Sequence, residues 1–132
     1  MATIRLPSDF REFLKLLGSK RVEYLLIGGY AVGLHGHPRP TGDIDIWVAM
    51  NPKNAARLVK VFDGFGFPGV SPELFLTPGR IARAGNQPLR LEILNRIAGV
   101  EFDACFKRRE VIDVDGLRVN IISLRDLLIN KR

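Results

Sequence analysis

Asp43 and Asp45 stand two residues apart in the apolar run GDIDIWV, about a dozen residues after the paired glycines Gly28-Gly29. In a strand, successive side chains leave opposite faces. The two aspartates therefore project together, while Ile44 and Ile46 project the other way and can enter a core. Their carboxylates sit roughly 6–7 Å apart along the strand. At an effective dielectric of about 20 they repel by about 2.5 kcal/mol, which a divalent cation reverses in sign. The glycines follow the apolar segment Val22–Ile27, where a helix should begin. Backbone amides and the helix dipole there would face an incoming phosphate. Clustered carboxylates for metal and close-approach amides for phosphate are the two requirements of phosphoryl transfer. No GxxxxGKS/T or GxGxxG is present, so neither fingerprint accounts for the glycines. An acidic i, i+2 pair is also ordinary on the solvated face of an edge strand, with Arg39 as a simple partner, and paired glycines are ordinary turn punctuation.

The elements that must position these residues follow from periodicity. Phe10, Phe13, Leu14 and Leu17 recur at helical spacing after Pro7-Ser8-Asp9 and stop at Gly18. Val22–Ile27 is a first buried strand, Tyr30–His35 a short helix, and Ile44–Ala49 a second strand. Asn51-Pro52 supplies a cap and N1 proline for a helix over Lys53–Phe62. Residues 64–80 are rich in glycine and proline and are expected to be mainly loop, with one short strand around Leu74–Leu76. Leu89–Leu94 is a third strand. Val111–Val114 and Leu117–Ile121 form a hairpin around Asp115-Gly116, and Ser123 with Asp126 matches a capping box that opens a last helix. Early alternation followed by a hairpin predicts an α/β (α+β) fold, a two-layer mixed β-sheet with helices packed on one face.

The chain's 132 residues, 46% of them hydrophobic, suit a single domain spanning 1–132. No signal-peptide pattern opens it, and the longest uncharged apolar run, Tyr24–Leu34, is well short of the ~18–20 residues that span a bilayer. One cysteine excludes an internal disulfide and suits a cytoplasmic location. Cys105, between Phe102 and Phe106, reads as a small core residue. His35 and His37 lack the further ligands of a zinc site and read as loop residues. A net charge of +6 and a pI near 10 are compatible with a polyanionic partner. The excess is scattered, however, and its one run, Lys107-Arg108-Arg109, reads as a solvated loop.

The order GG, then T-x-D-I-D-I, resembles the DNA polymerase beta-like nucleotidyltransferase superfamily. It is most similar to the minimal prokaryotic members, including toxin–antitoxin and abortive-infection nucleotidyltransferases. The matching residues are Gly28, Gly29, Arg39, Thr41, Asp43 and Asp45, and RLEIL at 90–94 resembles the later strand that carries a third acid, here Glu92. The segments GVEFDACFKRR, GLRVNIIS and LRDLLINK resemble the C-terminal part of those members. The resemblance implies a polymerase beta-like core and transfer of a nucleoside monophosphate from an NTP, ATP first among them, with release of pyrophosphate. It implies Mg²⁺ held by Asp43, Asp45 and Glu92, with Gly28, Gly29, Arg39 and Thr41 about the phosphates; Lys131 is a further phosphate ligand to expect. Glu101 and Asp103 form a second acidic i, i+2 pair and rival Glu92 as the third acid. The hydroxyl acceptor is open among RNA, protein and small molecule.

A rival class is a non-catalytic module that acts as a protein-binding antitoxin or regulator. A sugar-nucleotide glycosyltransferase using D-x-D is weaker, because the glycines have no evident role in it. The last helix presents Leu124, Leu127 and Leu128, an apolar stripe suited to a protein partner or a homodimer.

Overall fold

The structure, a computed structural model, describes residues 8–36, 43–79, 81–84 and 90–131. Its elements are α1 (Ser8–Ser19), β1 (Tyr24–Ile27), α2 (Gly28–Leu34), β2 (Asp43–Val48), α3 (Pro52–Gly64), β3 (Ile81–Ala84), β4 (Arg90–Leu94), α4 (Phe102–Lys107), β5 (Glu110–Val114), β6 (Leu117–Ile121) and α5 (Leu124–Asn130). One mixed sheet takes all six described strands in the order β3-β4-β2-β1-β6-β5. The β2–β4 and β1–β6 pairs are parallel and the other three antiparallel. Among the described residues no helix is long and apolar enough to cross a membrane.

All four residues of β1 are buried, and they divide between two cores. Tyr24 and Leu26 join Ile44, Ile46, Leu91 and Ile93 beneath α1 and α3. Leu25 and Ile27 join Trp47, Cys105 and Leu127 on the opposite face. The long helices thus lie on one face as the periodicity predicts, and α1 buries the expected Phe10, Phe13, Leu14 and Leu17. The other face is not bare: the short α4 and α5 close part of it. Cys105 is buried there, as expected of a small core residue.

Local chemistry explains most boundaries. Asn51 accepts a hydrogen bond from the Asn54 amide at 2.8 Å to start α3. Buried Asn54 then donates to Ala49 O at 2.9 Å and Glu23 O at 3.1 Å, which fixes the helix to the ends of β1 and β2. Asp115 (φ 52°) and Gly116 (φ 80°) make the tight β5–β6 turn, where two positive φ values match the twist of the hairpin. Ser123 caps α5 by accepting from the Asp126 amide at 3.2 Å.

Four expectations need correction. The segment at Leu74–Leu76 is no strand; Pro72–Phe75 is a 3₁₀ turn capped by Ser71, with Phe75 driven into the core. β3 is not marked in the sequence, because a strand only four residues long follows a glycine- and proline-rich loop and carries too short a pattern to read. α4, six residues long, is likewise too short for its pattern to stand out. The Lys107-Arg108-Arg109 run is not a loose solvated loop. Arg108 forks onto buried Asp126 with bonds of 3.1 and 3.0 Å, and Arg109 lies 4.0 Å over the Phe106 ring. The fork ties α4 to α5 and holds the Asp126 carboxyl below its ordinary range.

Candidate active site

Strand register assembles the site. Asp45 pairs with Glu92 across the parallel β2–β4 ladder, and Glu92 pairs with Arg83 across β3–β4. On its other side Asp45 faces Ile27, the last residue of β1. Register partners share a face, so Arg83, Glu92 and Asp45 form one row across three strands. Asp43 and Arg90 form the next row. Leu91 and Ile93 alternate to the opposite core, which leaves Glu92 among the charges. Both rows lie on the face that also carries Trp47. There Trp47 is sealed by an edge-on contact with Phe102 at 5.1 Å.

Gly28 begins α2 directly beyond the end of β1, with φ at +70°. A Cβ at this position would collide with the Asp45 carboxylate. The residue thus has two independent reasons to be glycine: a left-handed backbone and an Asp45 carboxylate that occupies the space a Cβ would need. Gly29 follows as the second residue of the helix.

Burial is the main cause that pushes the Asp45 carboxyl up to about 6, with the charge of Glu92, a hydrogen bond to Glu92 and the charge of Asp43 adding to it. Lys131, at the end of α5, acts in the opposite sense and brings a positive charge to bear on Asp45. Two of the acids are held by arginines. Arg90 Nε donates to Asp43 Oδ1 at 3.3 Å, and Arg83 Nε lies 3.1 Å from Glu92 Oε1. Among the described residues, no three acidic, histidine or cysteine side chains are gathered tightly enough to hold one metal ion. The donors form a row and not a cage. They are nonetheless hard oxygen ligands of the kind Mg²⁺ takes, and the repulsion that Glu92 and Asp43 add to the burial of Asp45 is what a cation relieves.

Gly28, Gly29, Asp43, Asp45, Glu92 and Lys131 are thus brought to one region of the molecule. Arg39, Thr41 and His37 lie outside the described residues. Glu101 and Asp103 line a separate cleft of about 430 Å³ with Trp47 and Met50, farther along the face than the acid rows. His35 is a structural tie: its Nε2 donates to the Ile122 carbonyl at 2.8 Å, and its Nδ1 lies 3.8 Å from Glu110. The sequence alone does not single out Arg83 or Arg90 as site residues. The charged alternation R-L-E at the start of β4 was the available signal for Arg90. Arg83 had none, because its place depends on a cross-strand register.

This fold is shared with a candidate nucleotidyltransferase from Thermotoga maritima, whose crystal structure superposes with a TM-score of 0.69 at 16% identity, over 96% of this chain and 84% of that one. At that identity the likeness establishes the fold. No curated protein matches the sequence. The family is established by the sequence itself, which matches "Nucleotidyl transferase of unknown function (DUF2204)" over residues 7–132, and the chain belongs to that family. Its enzyme class is accordingly nucleotidyltransferase.

Proposed function

We propose that the protein transfers a nucleoside monophosphate from an NTP, ATP first among them, to a hydroxyl acceptor, in the manner of the minimal polymerase beta-like enzymes. The observation that carries this is the row Glu92–Asp45 abutting Gly28, with Asp43 two residues along the same strand face. Asp43, Asp45 and Glu92 would hold Mg²⁺, which when bound offsets the phosphate charge that develops during in-line attack. The chain's own groups then divide the remaining work. The Gly28-Gly29 amides approach the phosphates without a side chain in the way. Lys131, already close enough to act on Asp45, adds a cation to the same end of the site. Glu92 would help activate the acceptor hydroxyl by taking its proton. Arg39 and Thr41 are assigned to phosphate on the sequence pattern alone. RNA, protein and small-molecule hydroxyls are all acceptors to try.

Calorimetry of Mg²⁺-dependent ATP binding tests this. Asp43→Asn with Asp45→Asn should abolish the metal-dependent heat while the far-ultraviolet circular dichroism stays unchanged. Equal affinity in variant and parent would refute the assignment.

A second reading, a catalytically weak nucleotidyltransferase-like module that acts as a protein-binding antitoxin or regulator, is favoured by one observation. Leu127 of α5 is buried, but Leu124 and Leu128 remain 40% and 55% exposed. Light scattering paired with a transfer assay separates the two: robust activity from a clean monomer would leave the second reading without support.

A further inference from the structure

We propose that Arg83 and Arg90 are triphosphate-binding arms that rest on Glu92 and Asp43 until divalent metal displaces them; this rests on the nucleotidyl-transfer reading above. The molecule contains two kinds of arginine–carboxylate pair, and they differ in construction. Arg108 grips Asp126 through two bonds, and Asp126 is 1% exposed and further bonded by Ser123. That pair is a staple. Arg90 reaches Asp43 through a single Nε bond of 3.3 Å. Arg83 approaches Glu92 through Nε at 3.1 Å, with its own side chain 59% exposed on the edge strand β3. These pairs are part-exposed, at 59% and 18% for Arg83 and Glu92 and 27% and 39% for Arg90 and Asp43, so they contribute less to stability than the buried fork and exchange more readily. Their carboxylates, however, are two of the three acids that face the site.

Charge explains why they sit there. Among the described residues the site gathers three carboxylates (Asp43, Asp45, Glu92) and three cations (Arg83, Arg90, Lys131), so at neutral pH the charges offset one another. A metal ion entering alone competes with each guanidinium for the same oxygens and leaves a positive excess behind. A triphosphate entering with the metal removes that excess. The freed guanidinium groups are then beside it, and their planar fork suits phosphate oxygens. Metal and nucleotide consequently bind with positive coupling, each tightening the other by the same factor.

The test is isothermal titration of the full chain with MgCl₂ alone and with Mg²⁺ plus a non-hydrolysable ATP analogue, comparing the parent with Arg83→Gln/Arg90→Gln. Removing the resident cations should tighten Mg²⁺ alone by about threefold or more. Removing the phosphate ligands should weaken the Mg²⁺–analogue complex by about tenfold or more. The opposite signs are the signature, since a merely structural role would move both the same way. Arg83→Gln alone, at an exposed edge position, should give the same pair of shifts at smaller size if the double variant fails to fold. Both affinities falling together, or neither moving, would overturn the proposal while leaving nucleotidyl transfer intact. A parent that binds neither Mg²⁺ nor the analogue would refute the transfer assignment and this proposal with it.

Discussion

Ile44, Ile46, Leu91 and Ile93 leave β2 and β4 on one side, and Asp43, Asp45, Arg90 and Glu92 leave the same two strands on the other. The first set is buried beneath α1 and α3. The second is only partly covered, and its one strongly perturbed carboxyl is raised by burial and by its own neighbours. The apolar face stabilises the fold by removing area from water. The acid rows do the reverse, because Asp43, Asp45 and Glu92 are held together by a backbone whose geometry is fixed from behind, and the arginines beside them offset only part of that repulsion. Rigidity on one side is what permits repulsion on the other, and a two-residue period lets one strand serve both.

The sharpest way to break this division is on the apolar side. Ile46→Ala should lower unfolding free energy by about 3 kcal/mol, as a buried cavity does, measured by urea denaturation. Mg²⁺–ATP affinity of the folded fraction should stay near the parent's, and a matching loss of affinity would mean the two faces are not separable.

Gly28→Ala tests the seam between the faces. Strain at a φ of +70° and collision with the Asp45 carboxylate should together cost about 2 kcal/mol and weaken Mg²⁺–ATP binding as well. A variant that melts and binds like the parent would show that the close approach is dispensable.

A smaller effect should appear with pH. Asp45 titrates near 6 in the folded chain against 3.8 as its ordinary value. Between those values the folded state holds the proton more tightly than the unfolded state does. The contribution of Asp45 to metal-free stability is therefore fully present below pH 4 and is lost as pH rises through 6. After discounting for solvent screening the drop is about 1 kcal/mol. Mg²⁺ must displace that proton, so its affinity should rise over the same interval. Thermal melts of the parent and Asp45→Asn, with and without Mg²⁺, would measure both, and a parent whose melts follow the variant's at every pH would refute this.

Leu128→Ser should have the least effect on the monomer, within about 0.5 kcal/mol, because the side chain is mainly in water already. If scattering mass falls in this variant, α5 is an interface. A stability loss of several kcal/mol would instead mean that the leucine is covered.

What was legible in the sequence is what local rules decide. The stripe Phe10–Leu17, the Asn51 and Ser123 caps, the Asp115-Gly116 turn and the same-face aspartates each depend on residues a few positions apart, and each is found in the structure. The two missed elements are short and take their state from distant partners. Ile81–Ala84 is a strand because it pairs with β4, and Phe102–Lys107 is a helix whose Cys105 packs into the second core. Phe102, Cys105 and Phe106 did carry an i, i+3, i+4 signal that a six-residue window makes easy to overlook. The arginine pairs were beyond reach, since neither Arg83–Glu92 nor Arg90–Asp43 exists without a strand register.

The parallel β2–β4 ladder also has a kinetic meaning. Asp43 and Arg90 are 47 residues apart in the chain, and no local hairpin can bring them together. The β5–β6 hairpin and the helices can form early from nearby residues, whereas this ladder must wait for a large loop to close. A nascent or partly folded chain therefore has Glu92 apart from Asp43 and Asp45 and cannot gather all three acids on one metal. Metal affinity should appear in refolding only once this ladder has closed, so a ligand added during refolding would report that closure rather than the onset of structure.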